Sequence, residues 1–413
     1  MNDIVTPYFF LPIGFCAYTF RYLNIFTNEH EKANRNAQKY VENPINAFTL
    51  IKRLSTDFEV LKTVASDITE FVWDRELLYP TEEDLIGAAV AIGRLQYYYK
   101  LNTTELAEGN LKGVFGSPMS GSDCYSLALM LYKQEGPYNY SSYAAKWFEA
   151  ARERLDETPF SAPNMITYMD NIEDLNNTEN HYYELCRGEI NISSVNTSKL
   201  QCVYLKRSPF LMLAPIKMEM LLMNPVVVLF HDVLANSEIE IMKMIAGTKL
   251  DRAFVISDGE KKASGYRTAQ CAWLDEYNDT IEKVKQRAAD FTGLSSEHAE
   301  PLEVLNYGIG GHYDLHYDDP PLNYGLGIRI ATVLFYMSDV SQGGATVFPK
   351  FKLAVRPKKG AALYWMNLHP TGEVDVRTLH ASCPVLHGSK WVANMRIHGA
   401  GQELLWPCPL AVD

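Results

Sequence analysis

No run of about 20 uninterrupted apolar residues, the length a membrane span requires, occurs in the 413-residue chain. Positive charge is also short. Lys and Arg number 38 against 50 Asp and Glu, a net charge of −12, which excludes a bulk electrostatic grip on nucleic acid. The seven cysteines, at 16, 124, 186, 202, 271, 383 and 408, form no Cys-x-x-Cys, so a zinc ribbon and a thioredoxin-type centre are set aside. Their odd number leaves at least one thiol outside any intrachain disulfide. The final "CPLAVD" carries no Lys-Asp-Glu-Leu-type retrieval signal.

What is present is ordinary globular material: 47% hydrophobic, 12% aromatic and 21% charged residues, in a length that points to two or three domains. The most apolar stretch, "IVTPYFFLPIGFCAYTF" at 4–20, holds two prolines, follows Asp3 and ends against Arg21. It reads either as a candidate leader over 1–21 or as a buried N-terminus, with no small-x-small cleavage site in view. Asn-x-Ser/Thr sequons at Asn102, Asn139, Asn176, Asn191, Asn196 and Asn278 lean towards the secretory pathway.

The first half reads helical. Phe48, Ile51, Leu54, Phe58 and Leu61 recur at threes and fours, as do Leu85, Ala89, Ile92 and Leu95, the spacing of one buried helix face. After a Gly-rich break at 113–123, "CYSLALMLYKQ" and "SSYAAKWFEAARERL" form a helix pair carrying Tyr125, Leu129, Tyr132, Trp147 and Ala150. The pair resembles one unit of a helical repeat, without a second clear copy. Residues 156–200 are polar and read as a connection. Beyond 225, "NPVVVLFHDVL" predicts a strand. Two helices follow, with capping boxes predicted at Ser237/Glu240 and Asp279/Glu282 and a glycine end at Gly247. From Leu302 short β-rich segments alternate with Gly, Pro, Asn and Ser turns, the pattern of a barrel or double-sheet jelly roll.

Within that β-rich half, "GHYDLHYDDPP" at 311–321 contains His-Tyr-Asp twice. Residues two apart share a strand face, so His312 with Asp314, or His316 with Asp318, could offer an imidazole and a carboxylate to one metal ion. A further histidine much later and a basic residue after it complete a specific constellation. Two imidazoles and one carboxylate make the facial triad of non-haem Fe(II) oxygenases, with coordination positions left open. Lys390 follows His380 by ten residues across Gly388-Ser389, where a hairpin would fold its ammonium back beside the metal strand. A buried ammonium requires a charge partner.

"LEVLNYGIGGHYDLHYDD", "RIATVLFYMSDVSQGGATVFP", "KKGAALYWMNL" and "TLHASCPVLHGSKWVANMRIHGAGQE" closely resemble the catalytic domain of the α subunits of collagen prolyl 4-hydroxylases. "NPINAFTLIKRLSTDF" and "DLIGAAVAIGRLQYYYKLNT" resemble their N-terminal domain, and the likeness runs from about residue 40 onward. The resemblance implies an α+β multidomain chain. Its parts would be a helical dimerisation domain at 22–112, a shortened helical-repeat peptide-binding domain at 113–180, a linker at 181–224 and a double-stranded β-helix (jelly-roll) dioxygenase domain at 225–413. It implies Fe(2+) at His316, Asp318 and His380, and 2-oxoglutarate anchored by Lys390, with Tyr307 and Thr332 as hydrogen-bonding neighbours. In the family the corresponding stretch runs Gln-Tyr-Glu-Pro-His-Phe-Asp, so His312 stands where glutamine is usual. His312 and Asp314 would then be a chance duplicate near the site mouth.

The implied reaction uses O2 and 2-oxoglutarate to hydroxylate peptidyl proline at C4, releasing succinate and CO2, with L-ascorbate as reductant. The implied disulfides are Cys186–Cys202 and Cys383–Cys408, leaving Cys16, Cys124 and Cys271 as thiols, and Cys271 replaces the family's usual serine. The implied partners are proline-rich, collagen-like peptide and protein disulfide isomerase as β subunit of an α2β2 tetramer in the endoplasmic reticulum lumen. Tyrosines 125, 132, 138, 140 and 143 would contact proline rings. After Leu155 the family's further helices shrink to a polar stretch, which predicts a shorter groove. Two alternatives stay open at the level of sequence: a hydroxylase of proline or lysine in non-collagen secretory proteins, and a non-catalytic subunit.

Overall fold

The computed structural model describes residues 27–29, 31–58, 79–134, 136, 138, 140–154, 181–190, 200–253, 255–257, 260–262, 265–318, 328–369 and 371–406. The candidate leader, the polar stretch after Leu155, Cys16 and Cys408 lie outside them. The chain divides into two compact units, one comprising residues up to Gln96 with Leu101–Leu175, the other Tyr97–Lys100 with the chain from Asn176 onward.

The first unit is helical. Helix α1 (Pro44–Lys52) starts where the Asn43 side chain accepts the Ile45 and Asn46 amides and proline takes the first position, a cap and an N1 residue that both suit a helix start. Helix α2 (Glu82–Tyr99) buries Leu85, Ala89, Ile92 and Leu95, the stripe its periodicity predicts. The short α3 (Thr103–Ala107) follows, capped by Asn102. Helices α4 (Gly121–Tyr132) and α5 (Tyr140–Glu153) pack as the predicted pair, with Trp147 donating to Gln96 at 2.7 Å. Tyr138 and Tyr140, expected to line a groove, are buried.

The α1 face also differs from its sequence pattern. Ile51, Leu54 and Phe58 are half-buried, whereas Lys52, Arg53 and Asp57 are buried; a π-helical turn over Arg53–Asp57 alters the spacing from Arg53 onward, and Leu61 lies outside the described residues. These charges form a cluster with Asp123: Arg53 donates to Asp57 at 2.6 Å and forks onto Asp123 at 2.7 and 2.8 Å, and Lys52 lies 3.2 Å from Asp123. Burial alone would raise the Asp123 carboxyl, but Lys52 and Arg53 outweigh it and hold the carboxyl well below the usual range. Ion clusters of this kind survive desolvation because every charge is paired.

The second unit is α+β. It opens with helix α6 (His181–Arg187) and contains strands β1 (Cys202–Leu205), β2 (Ile216–Met223), β3 (Val226–His231), β4 (Asp251–Arg252), β5 (Arg267–Thr268), β6 (Gln270–Leu274), β7 (Leu302–Tyr307), β8 (His312–His316), β9 (Arg329–Tyr336), β10 (Thr346–Phe348), β11 (Leu353–Val355), β12 (Ala362–Met366), β13 (His380–Ser382) and β14 (Lys390–His398). A nine-stranded antiparallel sheet has the order β1-β2-β3-β12-β9-β14-β7-β6-β4, and a five-stranded one the order β11-β10-β13-β8-β5. The segment 181–224, expected as a linker, holds α6, a second short helix over Pro209–Leu213 and two strands of the large sheet.

Helices α7 (Asn236–Gly247) and α8 (Asp279–Thr292) cover one face of the large sheet through Ile239, Met242, Val284 and Phe291 against Val304, Val333, Phe335, Ala393 and Met395. The opposite face meets the small sheet, where Leu305, Leu334, Leu363 and Val392 pack with Phe348, Leu353 and Val355. Burial on both faces explains why β9 and β12 read as continuous apolar runs instead of alternating ones. Both predicted helix caps shift in register. In α7 the cap is Ala235, whose amide donates to Glu238 at 2.8 Å, and Glu238 is fixed by a forked Arg287 from α8. In α8 the cap is Asn278, and Gly293 closes the helix at φ 74°, a conformation that favours glycine. No described helix is long and apolar enough to cross a membrane.

Candidate metal centre

The two His-Tyr-Asp triplets share strand β8 and its C-terminal extension, and the strand treats them differently. On β8, Tyr313 pairs with Ser382 and His316 with His380. Three steps along β8 thus face two along β13, which is a bulge of one residue. In regular alternation His316 would share the face of His312 and Asp314. The bulge turns it to the face of Tyr313, and the two rings stack with centroids 3.5 Å apart. His312 and Asp314 remain together on the other face, 3.7 Å apart. Expected near the site mouth, His312 is instead fully buried.

His316, Asp318 and His380 converge. One donor atom from each lies within 4.8 Å of the others. Each imidazole turns Nδ1 to a carbonyl, His316 to Asp314 O at 2.7 Å and His380 to Thr378 O at 3.0 Å. Their Nε2 atoms lie 4.0 and 3.9 Å from the two Asp318 oxygens. Backbone acceptors of this kind fix the tautomer and leave Nε2 for a metal. The three side chains are 11%, 8% and 6% exposed. Burial pushes both imidazoles down, His316 strongly with His380 adding to it, so both are neutral donors near pH 7. Burial opposes the Asp318 charge, yet His380, Arg396 and His316 hold its carboxyl well below the usual range.

Thr332, expected against a cofactor, donates its hydroxyl to Asp318 at 2.6 Å and accepts from Asn367 at 3.1 Å. It positions the carboxylate and does not line the cleft. Behind Asp318, Arg396 binds Glu303 at 2.7 Å, and Glu303 accepts from Arg267 at 2.6 Å. Arg396 and Glu303 share the inner face of the large sheet with Lys390, Val392 and Asn394, and Arg267 reaches Glu303 from β5 of the small sheet.

Lys390 reaches the centre by a different route from the predicted hairpin. The chain leaves β13 in the small sheet and enters β14 in the large one, so the ammonium faces β13 across the space between sheets and donates to Ser382 at 2.8 Å. The Tyr307 and Tyr336 rings lie 5.5 and 5.9 Å away. Lys390 is 1% exposed, and burial pushes its amine down to about 7. Among the described residues no carboxylate pairs with it. The cleft between Lys390 and the three converging donors is lined by Tyr307, Tyr313, Leu334, Thr346, Trp365, Ser382, Val392 and Asn394. Of these, sequence reasoning named only Tyr307. Period-two counting from Lys390 and His380 reaches Asn394 and Ser382, whereas Thr346 and Trp365 enter only through the meeting of the two sheets.

The disulfide framework also differs from expectation. Cys186 of α6 bonds Cys383, with Cα atoms 5.6 Å apart, instead of Cys202. Helix α6 packs on β10 and β11 of the small sheet, which brings Cys186 to the end of β13. Cys202 is an exposed free thiol on β1, the edge of the large sheet.

Comparison with known proteins agrees with this geometry. Residues 19–113 match the model of the prolyl 4-hydroxylase alpha-subunit N-terminal region, and residues 302–398 that of the 2OG-Fe(II) oxygenase superfamily. Prolyl 4-hydroxylase subunit alpha-2 of Caenorhabditis elegans is 36% identical over 92% of this chain and 86% of its own length. Subunit alpha-1 of Homo sapiens is 34% identical over the same shares.

Proposed function

Since the chain belongs to the prolyl 4-hydroxylase α-subunit family, we propose that it hydroxylates peptidyl proline at C4 as an Fe(II)- and 2-oxoglutarate-dependent dioxygenase. The observation that carries this reading is the pairing of the His316–Asp318–His380 trio with the buried Lys390 in one cleft. Two neutral imidazoles and a carboxylate fit Fe(II) and leave positions open. A buried ammonium with no carboxylate partner among the described residues fits the far end of a dicarboxylate cosubstrate.

The chain's own residues then have defined tasks. His316 and His380 would bind iron through Nε2, each held in register by its Nδ1 contact. Asp318 would bind beside them, with one oxygen kept in place by Thr332. Lys390 and Ser382 would take the distal carboxylate of 2-oxoglutarate, and Tyr307 would close the wall beside it. Trp365 and Phe348, packed around His380, exclude water from one side. Iron, 2-oxoglutarate and O2 together supply the oxidising chemistry that yields succinate, CO2 and 4-hydroxyproline.

The facing antiparallel sheets support reading 225–413 as a double-stranded β-helix. The paired α4 and α5 support a peptide-binding region, shortened relative to a full repeat array. Its contacts to proline would come from Tyr125, Tyr132 and Tyr143, which are half-buried. The α-subunit names of the relatives support an assembly, which we take to be α2β2 with protein disulfide isomerase, and the sequons support work in the endoplasmic reticulum lumen with ascorbate as reductant. The test is co-expression with protein disulfide isomerase and mass spectrometry of Pro-rich and Gly-X-Y peptides after incubation with Fe(II) and 2-oxoglutarate. 4-Hydroxyproline that requires both additions is expected. Hydroxylysine, or no product on any proline peptide, would overturn the reading.

A further inference from the structure

The His312–Asp314 pair lies outside the cleft, yet it is among the most heavily bonded parts of β8. Asp314 Oδ1 accepts from the Tyr98 hydroxyl at 2.7 Å and the Tyr182 hydroxyl at 3.2 Å. His312 stands at Oδ2. The Asp314 amide donates to Tyr266 O at 3.0 Å, and the Tyr266 hydroxyl donates to Leu315 O. These contacts converge on the bulge between Tyr313 and His316. Asp314 also supplies the carbonyl that accepts from His316 Nδ1 at 2.7 Å. One residue therefore fixes both the face on which His316 emerges and the rotation of its ring.

We infer that Asp314 is a positioning residue for His316, acting through the bulge and its own carbonyl, with Tyr98 and Tyr182 as the anchors that hold it. The same two anchoring segments reach the other ligand strand. Tyr99, next to Tyr98, donates to Pro384 O, and Cys186, one helical turn beyond Tyr182, is bonded to Cys383. Residues 98–99 and helix α6 thus clasp β8 and the chain after β13 together. A bulge is an unpaired insertion that must be held by something other than the ladder, and partners behind a metal-bound histidine tune affinity about 10- to 100-fold.

The inference rests on His316 being a metal ligand, and the test separates the two. Co(II) is titrated into the full-length protein, purified with its partner subunit, and its ligand-field spectrum is recorded without turnover. His316→Ala should abolish the spectrum. Asp314→Ala should weaken Co(II) binding at least about 10-fold and alter the bands. Asp314→Asn keeps Oδ1 for both hydroxyls and should restore most of the affinity. The Tyr98→Phe/Tyr182→Phe double variant removes only the two donors and should reproduce the Asp314→Ala spectrum, and it serves if Asp314→Ala does not fold. His312→Gln keeps a donor beside Asp314 and should bind Co(II) nearly as the parent does. If the double variant shows the parent's affinity and spectrum while His316→Ala loses both, Asp314 has no positioning role. Normal Co(II) binding by His316→Ala would instead sink the ligand assignment and the inference with it.

Discussion

Lys390 offers the sharpest test, because its structural setting sets both a sign and a size. Burial lowers its amine to about 7, and only the charged form can pair with a distal carboxylate. At pH 7 about half of the molecules carry the charge, and at pH 9 about one in a hundred does, so affinity for 2-oxoglutarate should fall about 50-fold between them. Binding can be followed by calorimetry with Mn(II) in place of iron. 2-Oxobutanoate, which lacks the second carboxylate, is the control and should lose far less.

Stability carries the same signature with the opposite benefit. The unfolded chain holds this proton up to about 10.5 while the folded chain releases it near 7. In that window the unfolded state binds more protons, so stability rises with pH, and below about 7 the whole penalty of burying the charge remains. Lys390→Met should therefore raise the unfolding free energy without cosubstrate by on the order of a few kcal/mol, seen as a higher melting midpoint, while abolishing the pH dependence of 2-oxoglutarate binding. A Lys390→Met protein that melts lower, or that keeps the pH dependence, would refute the reasoning.

Three other outcomes are expected. His316→Ala, Asp318→Ala and His380→Ala should each remove turnover and metal binding together, read by product mass and Co(II) titration, since on the proposed reading each deletes one of the three donors that would hold the metal. Non-reducing peptide mapping should recover Cys186 joined to Cys383, and replacing both with serine should cost about 5 kcal/mol in the chain-entropy model for a separation of 197 residues, measured by denaturant unfolding. Asp123→Ala should destabilise the helical unit by about 3–5 kcal/mol, because it strands Lys52 and Arg53 with Asp57 alone. The stability that Asp123 contributes should be complete above the ordinary carboxylate range and fall away progressively as pH drops through and below it, because the unfolded chain takes up the proton first, a loss that thermal melts at successive pH values will report.

Much of the site could be read before the structure because it is written in local spacing. His316 and Asp318 are two apart, Lys390 opens a strand, and the runs from Leu302 onward became strands close to where composition put them. What escaped is non-local. The choice between the two His-Tyr-Asp triplets turns on a one-residue bulge, and bulges depend on the partner strand, here β13, some 60 residues later. Tyr98 meets Asp314 across 216 residues, and Cys186 meets Cys383 across 197; no periodicity encodes either. The Cys186–Cys202 pairing is implied by the family resemblance, and here α6 packs on the small sheet whereas Cys202 lies on the edge strand of the large one. The charged face of α1 was missed for a different reason. Lys52, Arg53 and Asp57 look solvent-facing by residue type, and their burial depends on Asp123, 70 residues away.

The two walls of the cleft will not exchange amide hydrogens alike. Lys390 and Asn394 stand on β14, nine residues long and paired on both sides within the large sheet. His316 and His380 stand on strands of five and three residues in the small sheet. Protection from solvent exchange follows the free energy of the smallest opening that exposes an amide. For β14 that opening is close to global unfolding, whereas for β13 it need only be a local parting of a few ladder bonds. The anchor for the cosubstrate's far end should therefore persist through fluctuations that release the metal-side wall. Metal loss then becomes a native-state event, faster than denaturation and slowed by whatever holds β8 and β13 together.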